Sequence, residues 1–65
     1  MRILVNGAWR ETQSAELSAV LEELGYAGSV VTTAVNGEFV AAVVRSGTRL
    51  RDGDRVEVLA PMQGG

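Results

Sequence analysis

Two short apolar segments at the start of the chain are separated by a strong turn signal. Residues 1–5 are mostly aliphatic and include β-branched side chains, a composition typical of a β-strand. The dipeptide Asn6-Gly7 favours the positive φ angles of a two-residue type I′ turn, which predicts a second strand over residues 8–12. This loop length also fixes the register of the hairpin, which pairs Val5 with Ala8, Leu4 with Trp9, Ile3 with Arg10 and Arg2 with Glu11.

The next segment has the spacing of one amphipathic helix. Aliphatic residues recur at intervals of three and four positions, which places them on a single stripe: Leu17, Val20, Leu21 and Leu24. Ser14 is the predicted N-cap, Glu16 lies in the first turn, where its charge suits the helix dipole, and Gly25 can end the helix in the left-handed conformation. The acidic residues off the stripe indicate a solvated face or, alternatively, a docking surface for an arginine-rich partner.

The second half of the chain predicts three further strands. Residues 30–35 have the β-branched composition and alternation of a strand, and a second Asn-Gly dipeptide precedes a short strand over residues 38–40. Residues 41–45 are ambiguous between a strand extension and a helical turn. A tight Asp-Gly-Asp turn then leads into the last strand, over residues 55–60.

This order of elements predicts an α+β domain in which a mixed sheet of four to five strands packs on one main helix. The helix stripe needs one face of the sheet to bury it. The residues expected in the core are therefore Ile3, Val5, Leu17, Val20, Leu21, Leu24, Val31, Val35, Val56 and Val58. Because Pro61 cannot donate a ladder hydrogen bond, we expect the domain to span residues 1–60, with a flexible tail over residues 61–65.

Composition excludes several kinds of chemistry. The 65 residues include no His, Cys or Lys and carry a net charge of -2. Without an imidazole or a thiol, the hydroxyl side chains lack their usual base and most zinc sites are excluded, so we expect no catalytic site and no metal. The charge favours no nucleic-acid partner, and the apolar runs are too short for a membrane span. With 46% hydrophobic residues and no visible export signal, we expect a soluble cytoplasmic domain.

The candidate chemistry lies in the tail, Pro61-Met62-Gln63-Gly64-Gly65. None of these side chains is reactive, but a partner enzyme can convert a terminal carboxylate to an acyl-adenylate. Two residues without a Cβ atom let the chain enter a narrow active site and leave both faces of the carbonyl open to attack. The alternative is that the two glycines are simply a disordered chain end.

Four sequence segments, taken together, resemble the ThiS family, the ubiquitin-like sulfur carriers of thiamine biosynthesis. The segments are RILVNG, a helix ending in LEELGY, TAVNGEFV and LRDGDRVEVLAPMQGG, and the resemblance covers essentially the whole chain. Each segment is weakly specific alone, whereas their order and spacing together are quite specific. The resemblance implies a β-grasp (ubiquitin-like) fold and a protein that serves as a co-substrate rather than an enzyme.

The resemblance also implies a modification site and a set of partner enzymes. An ATP-dependent adenylyltransferase of the ubiquitin-activating type would convert Gly65 to an acyl-adenylate. A persulfide donor, such as a cysteine desulfurase, would supply the sulfur of a C-terminal thiocarboxylate, which thiazole synthase would use. Met62, Gln63 and Gly64 would enter the partners' active sites, with Gly64 keeping the tail slender. The carrier would bind no cofactor, since ATP is used by the activating partner, and would be a monomer when free.

One segment departs from the family pattern. Many thiamine carriers have approximately Val-Pro-Arg-x-x-Trp where this chain has Val40 followed by Ala-Ala-Val-Val-Arg over residues 41–45. A carrier for another sulfur pathway (molybdopterin, cysteine or a natural product) is therefore an alternative, as is a β-grasp interaction module whose terminal glycines are incidental. An interaction module would tolerate extension beyond Gly65, whereas a carrier would not.

The predicted hairpin register also suggests a recognition surface. Leu4 and Trp9 share the sheet face opposite the core, and Leu59 lies on the corresponding face of the last strand. Because an exposed apolar patch on a small domain often marks a binding site, these three residues are the candidate partner-binding face. The alternative is that Trp9 only packs over the side chains of Arg2 and Glu11.

Overall fold

The computed structural model describes residues 1–60, which form a five-stranded mixed sheet and one α-helix. The elements in chain order are β1 (Arg2–Val5), β2 (Ala8–Glu11), α1 (Leu17–Glu23), β3 (Thr32–Val35), β4 (Glu38–Val40), a 3₁₀ helix (Ala42–Gly47) and β5 (Arg55–Leu59). The strand order across the sheet is β2-β1-β5-β3-β4, with β1 parallel to β5 and the other neighbours antiparallel. The predicted α+β class is confirmed.

Both Asn-Gly dipeptides form the turns that the sequence predicts. Asn6 and Gly7 have φ angles of 49° and 84°. Asn36 and Gly37 have nearly the same values, 50° and 86°. Asn tolerates this left-handed conformation better than most residues and Gly adopts it freely, which is why the dipeptide selects a type I′ turn. The first turn gives β1 and β2 all four of the predicted residue pairs.

Helix α1 begins later than the sequence predicts. Its N-cap is Glu16, in an extended conformation and without a side-chain capping hydrogen bond, so the prediction of Ser14 as N-cap is wrong. The backbone before the helix pairs instead with a distant segment. Leu17 N–H donates to Thr48 O at 2.8 Å, and Glu16 forms an isolated antiparallel bridge with Arg49. This pairing keeps the chain extended up to Glu16, which therefore precedes the first turn.

The end of α1 and its buried stripe agree with the sequence. Leu24 is the C-cap, and Gly25 adopts the expected left-handed conformation with a φ angle of 92°. Leu17, Val20 and Leu21 are buried, and Leu24 is partly buried against the core. The stripe of α1 therefore faces the sheet.

One hydrophobic core lies between α1 and the sheet. Its buried members are Ile3, Val5, Leu17, Val20, Leu21, Val31, Leu50, Val56 and Val58. The predicted core is confirmed, with Leu24 and Val35 at its partly buried margin. Leu50, which is 4% exposed, is absent from the predicted set. Its burial follows from the pairing of its segment with the start of α1, which no local periodicity reveals.

The 3₁₀ helix resolves the ambiguous segment 41–45 as a helical turn. Arg45 fastens this turn to β3, because its Nε donates to Thr33 Oγ1 at 3.0 Å and a terminal nitrogen donates to Val31 O at 2.7 Å. The Thr33 hydroxyl, which is buried, donates in turn to Val40 O at 2.8 Å. A chain of polar contacts thus holds the segment, although none of its own residues is buried.

Candidate functional site

The residues expected to carry the chemistry lie outside the described residues 1–60. They are Met62, Gln63, Gly64 and Gly65. The predicted flexible tail and the domain boundary after residue 60 therefore stay predictions. The structure does define the strand that precedes them, since β5 ends at Leu59, six residues before the end of the chain.

Strand β5 leads toward the tail from the centre of the sheet. It lies between β1 and β3. At its end Leu59 pairs with Thr32 of β3, and the Thr32 hydroxyl donates to Leu59 O at 3.4 Å. Strand β3 pairs with β5 up to Leu59, whereas β1 pairs with Arg55 and Val56 only, so the ladder at the end of the strand lies on the β3 side.

Trp9 and Leu4 lie together on the outer face, which we define as the sheet face opposite α1. Trp9 is 51% exposed, although the guanidinium carbon of Arg2 lies 4.6 Å from the centroid of its ring. This cation–π arrangement orients the indole without covering it. Trp9 thus packs with Arg2 and still exposes half of its surface. We call Leu4 and Trp9 the hairpin patch.

Leu59 lies apart from the hairpin patch. Because β1 and β5 are parallel with Leu4 opposite Arg55, Leu59 lies four residues further along its strand, about 13 Å away. Arg55 and Glu57 are both exposed on the outer face of β5 between these positions. The three residues of the candidate face therefore belong to two separate apolar patches.

Phe39 shares a shallow depression with Leu59. Leu59 is 67% exposed and Phe39 is 71% exposed. The depression has a volume of about 230 Å³ and is also lined by Thr32, Ala34 and Glu57. Sequence reasoning missed Phe39, although the second Asn-Gly turn contains the signal: the same hairpin rule pairs Phe39 with Ala34 on the outer face. We call Leu59 and Phe39 the tail-proximal patch.

One carboxylate on α1 has a local structural role. The Glu23 side chain accepts hydrogen bonds from the backbone N–H groups of Gln13 and Ser14, at 2.9 Å each. The bond from Gln13, followed by that from Ser14, lowers the pKa of Glu23. Part of the acidic helix surface therefore fastens the loop between β2 and α1, while docking of an arginine-rich partner stays a prediction.

The described residues contain no metal-binding cluster. Within the range 1–60, no group of three or more His, Cys, Asp or Glu side chains is placed to hold a metal ion. None of the helices in that part of the chain is long and apolar enough to cross a membrane. Every buried side-chain nitrogen and oxygen there has a hydrogen-bond partner, so no unsatisfied polar atom indicates a ligand site.

Comparison with known proteins covers almost the whole chain. A family model described as the ThiS family matches residues 3–65, which include both terminal glycines. The sulfur carrier protein ThiS of Thermus thermophilus is 40% identical over 63 residues, which cover 97% of this chain and 98% of the relative. The chain belongs to the ThiS family.

The fold also agrees with that of a solved ThiS-family structure. A crystal structure of the thiamine biosynthesis protein ThiS from Geobacter metallireducens matches this chain with a TM-score of 0.82 and 35% identity, over 100% of both chains. The β-grasp fold implied by the sequence resemblance is therefore confirmed. The fold is kept although segment 41–45 departs from the family pattern. In this ThiS-family chain the segment forms a 3₁₀ helix, which Arg45 connects to the sheet by hydrogen bonds.

Proposed function

We propose that this ThiS-family chain carries sulfur for thiazole formation in thiamine biosynthesis, as a thiocarboxylate on Gly65. The observation that carries the proposal is the family match, which runs through residue 65 and so includes the terminal glycines. The relative from Thermus thermophilus is named a sulfur carrier protein, and the Geobacter metallireducens structure is named a thiamine biosynthesis protein. Both names favour the thiamine pathway over a carrier for molybdopterin, cysteine or a natural product.

The terminal carboxylate must be activated because its leaving group would otherwise be an oxide. In the proposed sequence, an oxygen of the Gly65 carboxylate attacks the α-phosphate of ATP, pyrophosphate leaves and an acyl-adenylate forms. The terminal sulfur of a cysteine persulfide then attacks the carbonyl carbon, and AMP leaves. A thiol cleaves the resulting acyl disulfide by exchange, which releases the thiocarboxylate and leaves the thiol and the cysteine joined as a disulfide.

All of this catalysis is assigned to partner enzymes. They are an ATP-dependent adenylyltransferase of the ubiquitin-activating type, a persulfide donor such as a cysteine desulfurase, and thiazole synthase. Family membership implies activating and sulfur-transfer enzymes in general. The lack of His and Cys in the sequence supports a carrier that supplies neither a base nor a thiol of its own. Met62, Gln63 and Gly64 would enter the active sites of these partner enzymes together with Gly65.

The outer face of the sheet is the proposed docking surface for these enzymes. The tail-proximal patch consists of Leu59 at the end of β5 and Phe39 on β4, with β3 between them, and the hairpin patch lies further back along the sheet. Exposed aromatic and apolar side chains of this kind supply much of the binding energy at protein interfaces. The charged residues Arg55 and Glu57 lie between the patches, where they can fix the orientation of a docked partner.

Conversion of the purified chain tests the carrier function. The chain is incubated with the activating enzyme, ATP, a persulfide source and a thiol that cleaves the acyl disulfide, and intact-mass spectrometry follows the product. We expect the sulfur-for-oxygen mass difference only when all four components are present, with single omissions as matched controls. An unchanged mass in the complete mixture would instead favour a β-grasp interaction module.

A second stage of the same experiment tests the pathway. Thiazole synthase and its other substrates are added to the thiocarboxylate form. We expect the mass to return to its starting value while the thiazole product appears. A thiocarboxylate that survives this treatment would favour a different sulfur pathway.

A further inference from the structure

Two Asn-Gly turns hold β5 from opposite sides. In the β3–β4 turn, Asn36 N–H donates to Arg55 O at 2.8 Å, and the Asn36 side-chain oxygen accepts Arg55 N–H at 2.9 Å. In the β1–β2 turn, Asn6 N–H donates to Val56 O at 2.9 Å, and the Asn6 side chain reaches Val58. One turn thus holds the first residue of β5, and the other holds the strand close to its end.

The carboxamide of Asn6 takes the place of a missing strand. Its Oδ1 accepts Val58 N–H at 2.8 Å, and its Nδ2 donates to Val58 O at 3.0 Å. In a regular parallel ladder, these two positions would be filled by the carbonyl of residue 6 and the N–H of residue 8. Strand β1 cannot supply them because the chain turns away at Gly7. The side chain therefore extends the β1–β5 ladder beyond the end of β1.

The contact between Asn6 and Val58 lies one residue before the end of β5, the strand that precedes the C-terminal residues. We propose that Asn6 is a positioning residue which, by holding Val58, fixes the end of β5, from which the chain continues to Gly65. The inference rests on the proposed function, because the exit point matters only if Gly65 must reach a partner's reactive centre. On the other side of the strand, Leu59 pairs with Thr32, so β5 has partners on both sides almost to its last residue.

Release of this contact would leave the end of β5 paired with β3 alone, which makes fraying of Val58 and Leu59 easier. The six residues from 60 to 65 span at most about 20 Å when extended. If Val58 and Leu59 then also separated from β3, they would join the tether of the reactive carboxylate and add about 7 Å. A longer tether lets the chain end search a larger volume and so lowers its effective concentration at the partner's reactive centre.

Asparagine combines the two properties that position 6 requires. Its φ angle of 49° lies in the left-handed region, which Asn, Asp and Gly adopt more readily than other residues. Its carboxamide also offers one acceptor and one donor to Val58. An Asp side chain offers only acceptors, and Gly offers neither group. Asn6→Gly therefore removes the contact with Val58, while the Gly-Gly dipeptide that results still favours a type I′ turn.

The matched control is Asn36→Gly. It changes the same dipeptide in the same type of turn, and it also removes two side-chain hydrogen bonds, from Arg55 N–H and to Asp54 Oδ1. Adenylation of each variant is followed as pyrophosphate release at a temperature where all forms are folded. We expect Asn6→Gly to lower kcat about tenfold or more with little change in KM, because the position of the tail rather than docking is lost. Asn36→Gly should keep both constants near those of the wild type.

Amide hydrogen exchange supplies a second readout, which does not depend on activity. In Asn6→Gly the Val58 N–H loses its partner, so its exchange should accelerate about tenfold relative to amides in the core. In Asn36→Gly the acceleration should occur at Arg55 instead. Asn6→Asp keeps an acceptor for Val58 N–H but has no donor for Val58 O. Its kcat should therefore lie between those of the wild type and Asn6→Gly.

The outcomes separate this inference from the carrier function. Equal kcat values for Asn6→Gly and Asn36→Gly, beside an active wild type, would overturn the positioning role and leave the carrier function intact. Unchanged exchange of Val58 in Asn6→Gly would also overturn it, because β5 would not depend on Asn6. A wild type that is never adenylated would defeat the carrier function, and the positioning role with it.

Discussion

At the scale of single residues, Leu21 shows how much stability one side chain supplies in a small domain. It is 5% exposed and lies on the helix stripe that faces the sheet. Leu21→Ala would remove buried methyl groups and leave a cavity, so we expect the free energy of unfolding to fall by about 2–5 kcal/mol. Urea denaturation measures this loss, which is a large share of the stability of a domain of this size.

A matched surface substitution controls for the measurement. Val43 is 88% exposed on the 3₁₀ helix. Val43→Ala should change the free energy of unfolding by less than about 0.5 kcal/mol. If Leu21→Ala instead left the thermal midpoint where Val43→Ala leaves it, the stripe of α1 would not pack against the sheet.

Two residues of the outer face are expected to contribute to binding rather than to folding. Trp9 is 51% exposed and Leu59 is 67% exposed, so neither supplies much of the core. Trp9→Ala and Leu59→Arg should each weaken binding to the adenylyltransferase or to thiazole synthase by more than about 1 kcal/mol, with little loss of stability. Titration of each variant against each enzyme, by calorimetry, measures the effect.

The separation of the two patches refines this prediction. Phe39 and Leu59 line the same depression, so Phe39→Ala should weaken binding to the same enzyme as Leu59→Arg. Trp9 belongs to the hairpin patch and provides an independent comparison. Unchanged affinity of all three variants for both enzymes would exclude the outer face. A lowered melting temperature of Trp9→Ala, without a change in affinity, would assign the indole to folding instead.

At the scale of elements, Glu23 couples α1 to the loop that precedes it. The hydrogen bonds from Gln13 and then Ser14 hold its pKa below the ordinary value of 4.5. A carboxylate whose pKa is lowered by folding stabilises the fold above its unfolded pKa, and this contribution is lost as the pH falls through the folded pKa. Between about pH 7 and about pH 3, urea denaturation should therefore show a larger loss of stability for the wild type than for Glu23→Gln.

Glu22→Gln is the control for this pH dependence. Glu22 is the exposed neighbour of Glu23 on α1, and the backbone N–H groups of Gln13 and Ser14 donate to Glu23 rather than to Glu22. Its substitution should leave the pH dependence of stability close to that of the wild type. Parallel curves for the wild type and Glu23→Gln would contradict the role given to the Glu23 carboxylate.

Elements specified by neighbouring residues follow from the sequence, and those specified by distant pairing do not. The Asn-Gly turns need only the φ preferences of two adjacent residues, so their position and the β1–β2 register could be predicted. The start of α1 depends on Glu16 pairing with Arg49 across the fold. The 3₁₀ helix depends on Arg45 reaching Val31. Local patterns contain no information about either contact.

In the candidate site, too, one part could be predicted from the sequence and another could not. Alternation along single strands assigned Leu4, Trp9 and Leu59 to the outer face, and the structure agrees. Their grouping depends on how β1 and β3 pair with β5, which the sequence does not reveal. The structure therefore associates Leu59 with Phe39 rather than with Trp9.

At the scale of the whole molecule, one strand connects the proposed docking surface to the end of the chain. Helix α1 and the core occupy one face of the sheet, and the outer face is the one that we propose binds partners. Strand β5 lies at the centre of the sheet and leads to the tail. The family match continues to residue 65 and so includes both terminal glycines.

The mass of chains with altered C-termini tests this account most directly. The wild type, a chain without Gly65 and a chain with one residue added after Gly65 are each treated with the activating enzyme, ATP, a persulfide source and a thiol that cleaves the acyl disulfide. We predict that only the wild type gains the sulfur-for-oxygen mass difference, while all three keep the same thermal midpoint because the core lies within residues 1–60. An extended chain that still gained this mass difference would contradict the assignment of Gly65 as the site that carries sulfur.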